Sequence, residues 1–309
     1  MPMETAAIIL RQIIIMFLYM AIGWWMYKKN LITQEGSRSM AHLLLYVILP
    51  CVIIQSFCVE RSAKNIRMIQ QSFAGAIAVL TAAMMVSHLL LKKKPVDNFG
   101  AAFSNAGFMG IPLITATLGE QAVICAAGMI ALLNALQWTY GQMILSGDRR
   151  AVSLKEVAKS PVVAALAAGM CIFLLQLPVP SMIQSSMGAI ARLNAPIAMI
   201  ILGVYLGHVP IREILCDKNA WKCSAVRLMV IPAITVVVLR FMFPDNQAMA
   251  MALLLSAIAP VGSNVAVYAQ KGAQDYGYAV KIVCLSTLLS ALSMPLIMYA
   301  YMAACSLLP

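Results

Sequence analysis

Charged side chains are scarce along this sequence. Lys, Arg, Asp and Glu together make up 11% of the 309 residues, whereas 62% are hydrophobic and the mean hydropathy is +0.87. A typical soluble domain carries roughly 25% charged residues. The shortage therefore excludes an ordinary soluble domain and predicts an all-α integral membrane protein, whose partner along most of its surface is the lipid bilayer.

Acidic residues are scarcer than basic ones. There are 11 acids against 22 Lys and Arg, and all the acids fall at the ends of apolar runs or in the loops between them. We therefore expect no carboxylate at the bilayer centre, which argues against a carboxylate proton relay and favours an anionic substrate. Asp97 and Asp275 stand just before apolar runs, where a carboxylate can cap free helix amides. The basic residues stand singly or in short groups between apolar runs. We therefore expect them to fix the orientation of the chain in the membrane and not to form a nucleic-acid-binding surface.

The sequence also has no motif for metal binding or catalysis. Its eight cysteines are scattered without a CxxC pair, and HExxH, GxSxG and aspartate-rich pairs are missing. Clustered ligands or a positioned nucleophile would be needed for a metal site or an enzyme. We expect no enzymatic activity, no metal and no cofactor. The coupling ion, proton or sodium, stays open.

Ten apolar runs are long enough to cross a bilayer, taking about 20 residues as one span. They lie at 6–27, 39–58, 69–91, 98–118, 121–145, 161–178, 183–207, 223–243, 246–270 and 276–304. Most Lys and Arg fall in the loops on one side, which places both termini outside a cell membrane, plasma or inner. His42 and His88, near the inner ends of the second and third spans, are candidate proton carriers.

The longest inner connector divides the chain into halves of five spans. The first repeat is residues 1–145, the connector 146–160 and the second repeat 161–309. An odd number of spans per half predicts that the second half enters the membrane inverted, as in many secondary transporters. Pro50 interrupts the second span and Pro196 the seventh, which are corresponding positions in the two halves.

The fourth and ninth spans carry the residue types that interrupt a helix. The stretch 103–114 reads FSNAGFMGIPLI, and the stretch 259–264 reads APVGSN. Breaks in lipid are costly unless they line a cavity, and transporters use them to aim half-helix ends at a substrate. Two such N-termini suit a carboxylate. The predicted substrate-binding residues are Asn105, Gly107, Gly110, Pro112, Pro260, Gly262, Ser263 and Asn264.

Other interpretations of these residues remain open. Glycine and proline in membrane helices also serve as kinks, and asparagine as hydrogen-bonding glue between helices. Gly203 and Gly207 form a GxxxG packing face for another helix or for a dimer. Arg11, Arg227 and Arg240 lie toward span ends and are expected to snorkel to the lipid headgroups.

The motifs resemble those of the auxin efflux carrier family, which includes the plant PIN-formed exporters and bacterial malate or malonate permeases. The resemblance rests on FSNAGFMGIPLI, on IAPVGSNVAVYAQKGAQDYGYAV, and on the contexts of Pro50 and Pro196. It implies ten helices in two inverted repeats, with broken helices 4 and 9 crossing. It also implies a scaffold of helices 1, 2, 6 and 7, a transport domain of helices 3–5 and 8–10, and a homodimer. Asn105 takes the place of the family's substrate-contacting asparagine.

The sequence thus predicts a secondary active transporter of a small organic anion. The resemblance implies the candidate substrates, a dicarboxylate such as malate or malonate or an auxin-like carboxylate, and it implies elevator-like alternating access. The alternative is an anion or small-solute channel lined by the same broken helices. Saturable flux with counterflow would indicate the carrier.

Overall fold

The computed structural model describes residues 2–147, 159–271 and 273–307, which are almost entirely helical. We number the helices in chain order. They are α1 (Pro2–Lys28), α2 (Gln34–Phe57), α3 (Ala63–Leu91), α4 (Pro95–Ala102), α5 (Ala106–Leu118), α6 (Glu120–Ser146), α7 (Pro161–Leu175), α8 (Ser181–His208), α9 (Ile211–Cys216), α10 (Lys218–Met242), α11 (Gln247–Ala257), α12 (Asn264–Lys271) and α13 (Tyr276–Leu307).

Within these residues, seven helices are long and apolar enough to cross a membrane, namely α1, α2, α3, α6, α8, α10 and α13. Three shorter apolar helices, α5, α7 and α11, lie at the fourth, sixth and ninth predicted spans. The protein is therefore a multi-pass helical membrane protein. Most of the predicted connector 146–160 lies outside the described residues, and the inverted repeat stays a prediction.

Three prolines follow a widened turn of helix. Each is the second residue of an α-helical segment that begins directly after a five-residue π-helical turn; they are Pro50 after Leu44–Ile48, Pro112 after Ala106–Gly110, and Pro232 after Val226–Val230. Proline lacks an amide hydrogen and its ring clashes with the carbonyl four residues earlier. The π turn displaces that carbonyl, so the helix continues past Pro50. Pro196 instead lies just after a turn at Arg192 and Leu193.

Helices α1 and α8 pack with their backbones in close approach. A Cβ placed on Gly203 would collide with the carbonyl oxygen of Met20, and one on Gly23 would collide with that of Ile200. Gly207 faces the ring of Tyr27 in the same interface. The GxxxG face is thus used inside the chain, between the first and seventh spans, as small residues allow in membranes.

Helix α11 lies in the protein interior. Every residue from Met249 to Ala257 is buried, and α3, α5, α6 and α10 all pack against the helix. Non-helical backbone at membrane depth is tolerated where protein, not lipid, surrounds it. The burial of α11 therefore lets it end at Ala257, well short of the length of a full span.

Candidate functional site

The two interrupted helices meet at their breaks. Helix α4 ends at Ala102 and α5 begins at Ala106, while α11 ends at Ala257 and α12 begins at Asn264. The short extended segments between these helices form one antiparallel bridge, between Ser104 and Val261. The amide of Asn105 donates to the Pro260 carbonyl at 2.8 Å, and the amide of Gly262 donates to the Phe103 carbonyl at 3.0 Å. Each break thus supplies the partners that the other one lacks.

Residue chemistry at the second break explains its shape. Pro260 has no amide hydrogen to continue α11. A Cβ on Gly262 would stand 3.1 Å from the Ser104 carbonyl oxygen, so the close strand pairing favours glycine there. The amide of Val261 donates to the Ser286 hydroxyl of α13 at 3.1 Å. The backbone of the break is therefore held by two neighbouring elements.

Arg227 connects the two breaks from α10. Its Nη1 donates to the Ala101 carbonyl at 3.0 Å and its Nε to the Ala259 carbonyl at 3.0 Å, while Nη2 donates to the carbonyl of Ala257. The side chain is 2% exposed. The expected snorkelling of Arg227 is therefore wrong, because the free carbonyls at the ends of α4 and α11 offer the guanidinium better partners than headgroups do. Arg11, by contrast, is exposed.

Asn105 lies at the crossing itself. The residue is 4% exposed, and its Nδ2 has no hydrogen-bond partner in the described part of the chain. Its carbonyl accepts from the amides of Met109 and Gly110, so the residue opens α5. The hydroxyl of neighbouring Ser104 is likewise buried and unpartnered among the described residues. Two polar groups are therefore free to bind something at the start of α5.

One cavity, which we call the first cavity, lies beside the C-terminal end of α2 and the middle of α5. It has a volume of about 450 Å³, and α2, α5, α6 and α8 contribute most of its lining. Amide side chains dominate its polar lining, with Glu120 and Arg192 as its charged residues; the amides are Gln12, Gln55, Gln121, Gln184 and Asn194. Pro112 is the one predicted site residue that lines it.

The second cavity adjoins the crossing on the side of the N-terminal part of α2. Its volume is about 560 Å³, and α2, α5, α6, α8 and α12 contribute to its lining. Its charged residues are Arg38 and Lys159, and its aromatic ones include Trp138 and Tyr268. Ser263 and Asn264 lie in its wall, beside the N-terminus of α12. A cationic, partly aromatic cavity is suited to an organic anion.

The remaining predicted site residues line neither cavity. A Cβ on Gly110 would stand 3.2 Å from the Cα of Ser256, so this glycine lets α5 approach α11. The Gly107 carbonyl accepts a hydrogen bond from Asn194 Nδ2 at 2.9 Å. Pro260 and Gly262 shape the crossing through backbone contacts alone. Some of the predicted substrate-binding residues therefore line a cavity, and the others contribute contacts between helices or between the two breaks.

Sequence reasoning missed two amide partners of the breaks. Asn194, on α8, bonds Gly107 and lines the first cavity. Gln137, on α6, accepts from Asn264 Nδ2 at 3.3 Å and is buried. A polar amide inside an otherwise apolar span was the available signal, because such residues in membrane helices face other helices or cavities.

The candidate proton carriers lie apart from the crossing. His42 is exposed, lines the second cavity and makes an edge contact with Tyr46. His88 is exposed near the end of α3 and lines neither cavity. Neither imidazole contacts Asn105 or Asn264, and their role stays a prediction.

The two acids expected to cap helices differ in the structure. Asp275 does so, since its Oδ1 accepts from the amide of Tyr278 at 2.9 Å. Asp97 does not: it lies inside α4, fully buried, and accepts from the hydroxyl of Tyr278. Packing of α10 and α13 over the start of α4 explains the difference.

Two comparisons with known proteins agree with this architecture. A family model described as "Membrane transport protein" matches residues 8–157 and 149–298. A Rhizobium meliloti (strain 1021) protein with the name "Putative malonate transporter" is 23% identical over 239 residues, which cover 73% of this chain and 74% of the relative.

Proposed function

The chain belongs to the membrane transport protein family, and from that premise we propose that it is a secondary active transporter of a small organic anion. The family assignment confirms the resemblance to the auxin efflux carriers found in the sequence motifs. Membership makes the protein a transporter of a small solute across a membrane.

The observation that carries the proposal is that the negative, C-terminal helix ends at the crossing are neutralised while the positive, N-terminal ends are not. Four half-helix ends meet there, and the carbonyls of α4 and α11 are already bound by Arg227. The N-termini of α5 and α12 remain, and their positive dipole ends attract an anion. Asn105 adds a buried, unpartnered amide donor beside the first of them. The net environment at the crossing is therefore positive.

A carboxylate is the anion that we propose. Asn105 Nδ2 and the Ser104 hydroxyl would donate to it from α5, and Ser263 and Asn264 from the start of α12. A dicarboxylate such as malonate or malate would suit two facing N-termini, and the name of the Rhizobium relative points in the same direction. An auxin-like carboxylate is the alternative that the aromatic residues of the second cavity favour.

The two cavities support alternating access. Helices α2 and α8 line both, one toward each end of α2, about 20 Å apart along its axis at 1.5 Å per residue. We propose that α1, α2, α7 and α8 form a stationary scaffold, and that the crossing moves past it in an elevator-like step. The Asn194–Gly107 hydrogen bond would be one of the contacts exchanged in that step. A homodimer formed through the scaffold completes the proposal.

A channel would need a continuous water path between the cavities. In the described part of the chain the two cavities share no lining residue, and Phe103 and Val261 at the crossing are each 0% exposed. This close packing favours a carrier, for which we expect saturable flux and counterflow. Flux that neither saturates nor shows counterflow in proteoliposomes would favour the channel instead.

Replacing Asn105 by Ala tests the site. Removal of one donor to a charged ligand costs about 1.5–3 kcal/mol, so we expect kcat/KM for malonate counterflow to fall about 10- to 100-fold. The measurement is uptake of labelled malonate into proteoliposomes loaded with unlabelled malonate, repeated with malate and an indole carboxylate.

The matched control is Asn65→Ala at the start of α3. Asn65 bonds the Glu60 carbonyl and lines neither cavity, so its loss should leave counterflow unchanged. Equal activity of N105A and the wild-type protein, at equal amounts of folded protein, would remove Asn105 from the site.

A further inference from the structure

A buried acid lies in the half-helix that leads into the crossing. Asp97 is 0% exposed, whereas every other acid among the described residues is exposed or only partly buried. Its Oδ1 accepts a hydrogen bond from the hydroxyl of Tyr278 on α13. Its Oδ2 is buried without a partner in the described part of the chain. An ionised carboxylate would thus keep one oxygen unsatisfied in the protein interior.

The neighbouring residue carries a second unsatisfied acceptor. Asn98 is 2% exposed, and its Oδ1 also has no partner among the described residues. Two buried acceptors of α4 thus have no hydrogen-bond donor among the described residues. A proton on the Asp97 carboxyl would convert one acceptor into a donor, and burial itself favours the neutral form of an acid.

Groups from every packed helix surround this acid. Tyr278 lies on α13, Tyr140 contacts Asn98 from α6, and Tyr268 of α12 packs on Phe99. The charged and titratable groups toward α10 and the start of α4 are Lys94, Asp217, Lys222, Cys223 and Arg227. Lys94 is engaged with the side chain of Asn219, and Arg227 with the carbonyls at the breaks. Among the described residues, the Asp97 carboxyl thus has one hydrogen-bond partner, a neutral phenol.

Asp97 is close enough to the crossing to sense a bound anion. It precedes Ala101, whose carbonyl binds Arg227, by one helical turn, which is about 6 Å. An anion beside Asn105 would lie on the order of 17 Å from the carboxyl, counting about 1.5 Å per residue to the end of α4 and about 3.3 Å per residue in the extended segment after it. At an effective dielectric of about 20, repulsion between two unit charges at that distance weakens anion binding about fivefold.

We propose that Asp97 is the proton-binding group that couples anion transport to proton movement. One proton binds the carboxyl as one anion binds the crossing, and both leave together on the other side. The group lies on α4, held by α10 and α13, so it belongs to the proposed moving domain and travels with the substrate. The inference rests on the proposed carrier function, and it puts the proton on Asp97 and not on His42 or His88. It departs from the expectation that no carboxylate carries the proton, because Asp97, although near a span end, is buried by the helices packed over α4.

The experiment separates exchange from coupling. Proteoliposomes containing wild-type protein, Asp97→Asn or Glu213→Gln are tested for malonate counterflow and for malonate accumulation driven by an imposed pH gradient. A trapped pH dye reports proton entry. Glu213 is an exposed acid on α9 that pairs with Lys281 Nζ at 2.9 Å, and Glu213→Gln is the acid-to-amide control at a surface ion pair, which contributes little to stability.

We expect the wild-type and Glu213→Gln proteins to accumulate malonate with proton entry. Asp97→Asn, which is permanently neutral, should retain counterflow but lose gradient-driven accumulation at least tenfold. Accumulation by Asp97→Asn equal to wild type, or accumulation driven by sodium and not by protons, would overturn the inference. Absence of counterflow in the wild-type protein would instead contradict the carrier function itself.

Tyr278→Phe provides a second variant in case Asp97→Asn does not fold. The tyrosine hydroxyl stabilises the ionised carboxylate by donating to it, so its loss should hold the proton more tightly. We expect the pH at which transport falls to half to move upward relative to wild type. An unchanged pH profile in folded Tyr278→Phe protein would contradict the role of Asp97.

Discussion

Arg227 shows how one side chain can keep two interrupted helices inside a membrane. A planar guanidinium carries five donors in a fixed fork, and here three of its donor atoms reach carbonyls of α4 and of the α11 break. A buried cation and uncapped carbonyls would each be unfavourable alone. Together they satisfy one another, and the positive ends of α5 and α12 are not used by this contact.

Replacing Arg227 by Met should therefore destabilise the protein more than it alters any cavity lining. Three carbonyls would lose their donor, at about 1 kcal/mol each, for a total of about 3 kcal/mol. Arg227→Lys should recover part of this, because an ammonium keeps the charge without the fork. The measurement is thermal unfolding in detergent.

Arg11→Met is the matched control for that series, since Arg11 is exposed. It should unfold at the wild-type temperature. If Arg227→Met did so too, the three hydrogen bonds would contribute nothing to stability.

Single residues were predictable from the sequence where their type already conflicts with a membrane helix. Asn105, Pro260 and Gly262 stand out in apolar spans, and the structure places all three at the crossing. Arg227 and Asp97 did not stand out, because a charge near a span end normally snorkels or caps. Their roles depend on which helices cover those ends, and this is tertiary information.

At the scale of elements, the predicted spans and the two breaks follow from hydropathy and helix-breaking residues. The sequence predicts that the two broken helices cross, and the bridge between Ser104 and Val261 shows the contact; its antiparallel backbone pairing was not predicted. The use of the GxxxG face was left open between a helix and a dimer. It packs on α1, where Gly23 provides the complementary gap.

Introducing a side chain at Gly203 should separate α1 from α8. A methyl group there collides with the Met20 carbonyl, and backbone cannot yield as a flexible side chain can. We expect Gly203→Ala to lower stability by about 1–3 kcal/mol, the usual cost of overpacking, measured by thermal unfolding in detergent.

Gly36→Ala supplies the comparison, because a Cβ there meets nothing closer than 3.5 Å and the residue lies in helix α2. Its stability should stay unchanged or rise slightly, since alanine favours helix. A Gly203→Ala protein as stable as Gly36→Ala would mean that the α1–α8 interface is easily displaced.

At the scale of the whole molecule, the two cavities at opposite ends of α2 predict access from opposite sides of the membrane. In a variant without the native cysteines, Thr115→Cys would report on the first cavity and Ala41→Cys on the second. If both termini lie outside, as the distribution of Lys and Arg predicts, an impermeant maleimide should label Thr115→Cys in intact cells and Ala41→Cys only in inverted vesicles. Labelling of both from one side would contradict the two-sided arrangement.

The Arg227 contacts also bear on the order in which the protein is made. Ala101 precedes Arg227 by 126 residues. Helices α4 and α5 are therefore synthesised well before the guanidinium that binds the break between them. Until α10 enters the bilayer, the carbonyl at Ala101 must find water or another partner at the insertion machinery. We therefore expect the break at Ala101 to reach its final hydrogen bonding only after α10 has entered the bilayer and Arg227 has bound the carbonyl.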